Sequence, residues 1–217
     1  LRMLLTGADN VHGKIRLSPD GRLLAVPRER PFGGDHDCEV WDLETRTCRG
    51  SLKGHPEFLR SVAFSRDGKR LATVAAGKCV RLWDVETMSL VGAPIEPADE
   101  VKGGIFTADG REFWSWSWQG TVERWDARTG SSLGKAIRGR GHPDRILVNA
   151  DWTRAVIGGS DTSAHLWDLA EAKLLESPLQ HSGSTYALAF SPDGTRVATG
   201  SIDCTAKIWR ADTGAPL

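Results

Sequence analysis

Residues 65–84 read SRDGKRLATVAAGKCVRLWD, and residues 191–210 read SPDGTRVATGSIDCTAKIWR. The two stretches align without a gap: a turn phrase ending in Asp-Gly, an apolar run, a second break, and a closing run that ends on Trp83 or Trp209. Working outward from them, the closing tryptophan returns as Trp41, Trp125 and Trp167, so that five tryptophans stand 42 positions apart. Four are followed by aspartate, at Asp42, Asp84, Asp126 and Asp168. Self-similarity at a fixed period of this size marks a structural unit copied along the chain.

The turn phrase recurs as Ser18-Pro19-Asp20-Gly21, Ser65-Arg66-Asp67-Gly68, Thr107-Ala108-Asp109-Gly110 and Ser191-Pro192-Asp193-Gly194. Proline presets φ at the second turn position, aspartate bonds back to nearby amides, and glycine accepts positive φ. The fourth repeat keeps only the aspartate, in Asn149-Ala150-Asp151-Trp152. Runs such as Leu59 to Phe64, Arg70 to Val74 and Val80 to Trp83 have strand length, and a fourth run follows the tryptophan. Turn signals interrupt every stretch before the roughly 10 to 12 residues of an ordinary helix. Each repeat therefore holds four strands, and little or no helix is expected. Apolar residues of both parities, as in Val80, Leu82 and Trp83, require cover on both faces of each small sheet. Sheets stacked face to face supply it.

The chain has 217 residues, 28 Lys plus Arg and 28 Asp plus Glu. A length of this order suits one all-β domain over 1–217. The balanced charge gives no global field for nucleic acid or a membrane surface. No apolar stretch approaches the roughly 18 to 20 residues that span a bilayer. The four cysteines, Cys38, Cys48, Cys79 and Cys204, share no offset and form no CxxC pair, so free thiols and a cytoplasmic location are expected. The sequence has no glycine-rich phosphate loop of nucleotide-binding spacing, no HExxH motif and no GxSxG nucleophile elbow, since the GxSxG spacing at Gly130 to Gly134 follows a Trp-Asp turn with no helix expected after it. A catalytic role is therefore not expected, and no cofactor is implied.

The 42-residue period, the four strands and the Trp-Asp ending resemble the WD40-repeat family along essentially the whole chain. The resemblance implies an all-β fold, a β-propeller of four-stranded antiparallel blades with five WD40 repeats present. It also implies a hydrogen-bonded tetrad in each blade. The last repeat offers a full set in His181, Thr199, Asp203 and Trp209. The second has His55, Thr73 and Trp83, with Gly77 in place of Asp; the third has Ser115 and Trp125, with Pro97 and Gln119 in place of His and Asp. The fourth has Asp161 and Trp167 with Ile157 on its second strand, and the first has Asp35 and Trp41. Two readings of the ends stay open: a complete ring of five, clasped by Leu1 to Leu5, or an excerpt of a larger ring, for which seven blades is the family's usual number. The non-Met start favours the excerpt, and an incomplete ring predicts self-association.

Carrying over the family's contact positions gives six candidate partner-binding residues: Phe58, Arg60, Lys102, Trp118, His142 and Tyr186. Large aromatics and arginine are common binding anchors, although solvent exposure or local packing explains each one equally well, and explains Lys102 better. Trp114, Trp116 and Trp118 alternate with Ser115 and Ser117. Repacking of one blade accounts best for the first two, while Trp118 lies nearest the turn. A five-residue insertion within Pro27 to Cys38 carries Asp35-His36-Asp37-Cys38. Those are metal-ligand types, but neighbours in an extended segment point to opposite sides, so no metal is assigned. The expected function is a non-catalytic protein-protein interaction scaffold docking a protein or peptide on its variable rim, within a larger multidomain signalling protein. The Ser-Pro-Asp-Gly and Thr-Gly-x-Pro-Leu phrases resemble bacterial members. The alternative is a propeller that binds a small molecule or metal over its central channel.

Overall fold

The computed structural model describes residues 15–28, 36–134, 137–138, 143–151, 153–160, 162–169, 173–175 and 177–217, with the backbone alone for 137–138 and 143–145. Among these residues every regular element is a strand. Every pairing whose register is described is antiparallel. The chain divides into two compact units, Leu1–Ser115 with Glu123–Gly134, and Trp116–Val122 with Lys135–Leu217, so the division runs through the third repeat.

Sheet 1 takes β1 (Arg16–Leu17), β2 (Leu23–Arg28), β3 (His36–Asp42) and β4 (Thr47–His55) in sequence order. Sheet 2 repeats the pattern with β5 (Leu59–Phe64), β6 (Arg70–Ala75), β7 (Cys79–Asp84) and β8 (Ser89–Leu90). Sheet 3 holds β9 (Val101–Phe106), β10 (Glu112–Ser117), β11 (Thr121–Asp126) and β12 (Ile137–Arg138). Sheet 4 has β13 (Pro143–Val148), β14 (Arg154–Gly159) and β15 (Ser163–Asp168), with its outer strand broken into β16 (Lys173–Leu174) and β17 (Leu179–Gln180), both paired to β15. Sheet 5 has β18 (Thr185–Phe190), β19 (Arg196–Ser201) and β20 (Ala206–Arg210); a single Trp209–Pro216 bridge follows where a fourth strand would begin. The expected clasp, Leu1 to Leu5, lies outside the described residues.

Local chemistry explains why these residues turn where they do. In sheet 1 the Leu23 amide donates to Ser18 Oγ at 2.8 Å, the Ser18 hydroxyl donates to Asp20 Oδ1 at 2.5 Å, and the Arg22 amide donates to the same carboxylate oxygen at 3.0 Å. The same network recurs around Asp67, Asp109 and Asp193. Gly21, Gly68, Gly110 and Gly194 close these turns at φ of 73°, 71°, 68° and 70°, a region that L side chains disfavour. In the fourth repeat Asn149 replaces the serine, and its Oδ1 accepts from the Arg154 amide at 2.8 Å.

In the first three repeats the aspartate after the tryptophan closes the following turn. Asp42 Oδ1 accepts the Glu44 and Thr45 amides, both at 3.0 Å, and Asp126 Oδ1 accepts those of Arg128 and Thr129 at 2.7 and 3.0 Å. Asp84 does the same for Glu86 and Thr87, while its other oxygen pairs with Arg70. The last repeat places Arg210 there, paired to Asp212 at 2.7 Å.

Packing follows a rule within each unit. One face of a sheet, here its trailing face, meets the opposite, leading face of the next sheet, which carries the repeat tryptophan. In the first unit Ala25 and Val40 of sheet 1 cluster with Leu71 and Trp83 of sheet 2. Ala72 and Leu82 of sheet 2 then cluster with Phe106, Phe113 and Trp125 of sheet 3. In the second unit Val156 and Leu166 of sheet 4 cluster with Val197 and Trp209 of sheet 5. All of these side chains are nearly or fully buried, and burial of apolar area at about 25 cal/mol per Å² is the main stabilising term.

Candidate functional site

Two of the candidate residues sit on the same structural device. The ladder between β5 and β6 pairs Leu59 with Ala75 and then Ser61 with Val74, which leaves Arg60 as a bulge residue. The ladder between β18 and β19 shifts in the same way between Thr185 and Ala187, leaving Tyr186. A third shift falls between Pro143 and Arg145 of sheet 4. A bulge adds one residue opposite its partner strand and re-aims that side chain.

In the first unit the Arg60 guanidinium lies 5.3 Å from the centroid of the Phe58 ring and donates from Nη2 to Glu100 Oε1 at 2.5 Å. Phe58 is 38 % exposed, and its carbonyl is fixed by the Ala76 amide at 2.8 Å. Glu100 occupies in the third repeat the place of Phe58 in the second, as Lys102 does that of Arg60. Lys102 is half-buried on β9. The result is an aromatic ring, a cation and a carboxylate held together on one surface. Sequence reasoning missed Glu100, although the repeat offset marks it.

In the second unit Tyr186 is 44 % exposed, and Ile202 is 66 % exposed. The Ile202 amide donates to the Ser184 carbonyl at 3.1 Å, which holds the β19–β20 turn against the start of β18. Ile202 is the counterpart of Trp118 two repeats earlier; a search for aromatics and arginines passes over it. β10 ends at Ser117, so Trp118 lies in the turn rather than on the strand, and the turn is closed by the Gly120 amide donating to the Ser117 carbonyl at 3.2 Å. His142 lies outside the described residues.

Trp114 is absorbed by packing. Its indole N–H donates to Glu112 Oε2 at 2.8 Å, and Arg124 both pairs with Glu112 at 2.7 Å and lies 5.4 Å over the ring. The Arg124 ion pair holds the Glu112 carboxyl below its usual range. Sheet 1 uses the same arrangement: Glu39 accepts the Trp41 indole N–H at 2.8 Å and pairs with Arg28 at 2.9 Å.

The buried polar networks are structural. Trp209 Nε1 donates to Thr199 Oγ1 at 2.7 Å, Thr199 donates to His181 Nε2 at 2.7 Å, and His181 Nδ1 donates to Asp203 Oδ2 at 3.1 Å. In sheet 2, Trp83 donates to Thr73 Oγ1 at 2.8 Å and Thr73 to His55 Nε2 at 2.7 Å. With Gly77 in the aspartate position, His55 Nδ1 donates instead to the His36 carbonyl of sheet 1 at 3.0 Å. In sheet 3, Trp125 donates to Ser115 Oγ at 2.9 Å. In sheet 4, where Ile157 replaces the hydroxyl, the buried Trp167 indole N–H has no acceptor. Thr199→Val would create the same defect in sheet 5 and strand His181 as well. A loss of about 2 kcal/mol is expected in urea unfolding, and a loss indistinguishable from zero would show that the network contributes nothing net.

The insertion's ligand-type residues diverge. Cys38 is buried, and burial raises its thiol pKa. Asp37 accepts the Ser51 hydroxyl at 2.6 Å, and His36 uses its carbonyl as above. Asp35 lies outside the described residues. Among the described residues no three His, Cys, Asp or Glu side chains are grouped to hold a cation. A groove of about 430 Å³ in the second unit is lined by Arg154, Arg196 and Arg210 interleaved with Asp151, Asp193 and Asp212, a mixture with no single-sign field.

Residues 46–84 and 173–210 match the family described as WD domain, G-beta repeat. A guanine nucleotide-binding protein subunit beta from Schizosaccharomyces pombe is 37 % identical over 68 residues, covering 31 % of this chain. That match spans 20 % of the relative's own length.

Proposed function

We propose that this chain is a non-catalytic WD40-type interaction scaffold, with 1–217 acting as one such domain, that docks a protein or peptide. Each unit offers its own contact positions at strand starts and turns: Phe58, Arg60 and Lys102 in the first, and Trp118, Tyr186 and Ile202 in the second; His142 is a further candidate from its place in the repeat. The observation that carries this reading is the repeated bulge. Arg60 and Tyr186 leave the same place in two different repeats, each as the extra residue at a register shift of its ladder. The tetrad histidines and turn aspartates are meanwhile occupied in holding the frame, which leaves them unsuited to acid-base work. The two matching repeats support the scaffold reading, as does the relative, which its name makes a subunit of a guanine nucleotide-binding protein. A cytoplasmic signalling context within a larger protein belongs to the same proposal.

The test selects peptide ligands from a displayed library and measures their affinity for the wild-type chain and for the combined variant Arg60→Ala, Trp118→Ala, Tyr186→Ala. These positions lie outside the buried core, so near-ultraviolet circular dichroism is expected to stay unchanged. Loss of anchors of this type weakens binding by on the order of a hundredfold. Wild-type affinity in the triple variant would overturn the assignment.

A further inference from the structure

Within the first unit, the outer strand of sheet 1 differs from the other outer strands described. β4 runs nine residues, whereas β8, β12, β16 and β17 run two each. Proline accounts for part of the difference, because it cannot donate to a ladder: Pro94 follows β8 and Pro178 precedes β17, while Thr47 to His55 contains none. β3 pairs with one edge of β4, and among the described residues no strand pairs with the other. The Gly54 carbonyl accepts from Arg81 Nη2 of sheet 2 at 2.6 Å, so the open edge runs from Thr47 to Lys53. A long strand with a free edge is a template for another strand.

Charge along this edge has one sign. Between Glu44 and Glu57 the sequence holds Arg46, Arg49 and Lys53 and no acid. All three cations are exposed, and among the described residues none lies within ion-pair distance of a carboxylate. Two of them stand where the register slips. Trp41 faces Cys48 and Val40 faces Gly50, which leaves Arg49 as a surplus residue; His36 faces His55 and Cys38 faces Leu52, which sets Lys53 and Gly54 against Asp37 alone. A surplus residue at a bulge is left unpaired by its ladder and re-aimed. Arg49 borders the groove between sheets 1 and 2, whose turn acids Asp20, Asp42 and Asp67 are already bonded to their own turn amides.

We propose that β4 is a docking edge for an extended acidic segment of a partner protein, which joins sheet 1 as an added outer strand. Main-chain hydrogen bonds supply the affinity of such an addition, and side chains select the partner. Arg49 and Lys53 stand four positions apart, roughly 13 Å along an extended chain, a spacing met by carboxylates at i and i+4 of the incoming strand. The same cations close the edge to its own kind. A second β4 laid antiparallel sets arginine and lysine against each other, and like charges directly opposite one another are destabilising. Edge cations commonly guard against unwanted pairing; here the guard is selective, because an acidic strand turns the repulsion into attraction. β4 shares no residue with the strand-start and turn positions assigned above, so the two surfaces are independent.

The probe is a fluorescein-labelled peptide of alternating Glu and Val, titrated with the full chain and read by anisotropy. Wild type is expected to bind it and not the corresponding peptide of Lys and Val. Arg49→Glu combined with Lys53→Glu changes two exposed positions, so circular dichroism is expected to match wild type while affinity falls by about tenfold or more. The acidic peptide N-methylated throughout keeps every charge but donates no main-chain hydrogen bond, and it is expected not to bind. The combined variant Arg60→Ala, Trp118→Ala, Tyr186→Ala is expected to bind the acidic peptide as wild type does. Any of four results overturns the proposal: no binding of the acidic peptide to wild type, which leaves the cations as a guard alone; undiminished affinity in the charge-reversed variant; equal binding of the N-methylated peptide, which indicates contact through charge alone; or loss of binding in the triple variant, which puts the peptide on the strand-start and turn positions.

Discussion

Phe113→Ala is expected to destabilise the chain by about 3–5 kcal/mol, the range for emptying a fully buried aromatic site. The ring has no exposed surface, meets Phe106 edge-on with centroids 5.2 Å apart, and belongs to the cluster that binds sheet 2 to sheet 3. Its far side rests on bare backbone. A Cβ built at Gly104 would lie 2.0 Å from Phe113 Cζ, so the glycine is required by the close approach of the ring. Gly104→Ala alone is therefore expected to cost about 1–3 kcal/mol as overpacking. Adding Phe113→Leu to it should recover part of that loss, because neighbouring substitutions are not additive. Equilibrium urea unfolding followed by tryptophan fluorescence measures all three. A loss below about 1 kcal/mol for Phe113→Ala would place the ring outside the core.

The second large effect is acid destabilisation through His55. Burial is the main cause that pushes its pKa down from 6.5 to about 4, and the nearby Arg81 charge adds to it. An unfolded chain takes up this proton as pH falls below 6.5, whereas the folded chain resists until about 4. The contribution to stability is thus present in full above pH 6.5, falls away as pH drops towards 4, and totals about 3 kcal/mol from the cited pKa difference. His55→Gln should remove that slope. If unfolding free energies of wild type and variant run parallel across this window, His55 is not the group responsible. The turn aspartates act in a separate, lower window. Their carboxyls are lowered chiefly by hydrogen bonds, in Asp193 to about 2 by the Ser191 hydroxyl, so their contribution is held above pH 3.8 and lost as pH falls through the folded value.

The frame was legible in the sequence because each of its parts is local. An Asp-Gly turn, an alternating run and a Trp-Asp pair each state their own geometry within a few residues, and repetition at one interval removes ambiguity. The tetrad residues in sheet 2 could be read in the same way, including the gap at Gly77. What filled that gap could not. The His36 carbonyl comes from β3, the strand on which His36 pairs with His55, and a backbone acceptor carries no residue signature. Glu39 and Glu112 likewise serve as indole acceptors for Trp41 and Trp114 at spacings outside the tetrad pattern. The bulges at Arg60 and Tyr186 are properties of strand register, which depends on both partners of a ladder. The division into two compact units falls inside the third repeat, where the sequence shows no linker composition. Ile202 was within reach, since it lies at the Trp118 offset, but it is neither aromatic nor charged.

The thiols give the two-unit organisation a practical use. Cys48 on β4 and Cys204 in the β19–β20 turn are exposed, one in each compact unit, whereas Cys38 is buried and Cys79 half-buried. A thiol-reactive dye pair thus has one accessible attachment point on either side of the division. Desolvation raises the Cys48 thiol pKa, which slows its conversion to the reactive thiolate. The native chain is in this sense already equipped as a molecular ruler, able to report by energy transfer whether the two halves keep a fixed separation when a ligand is added.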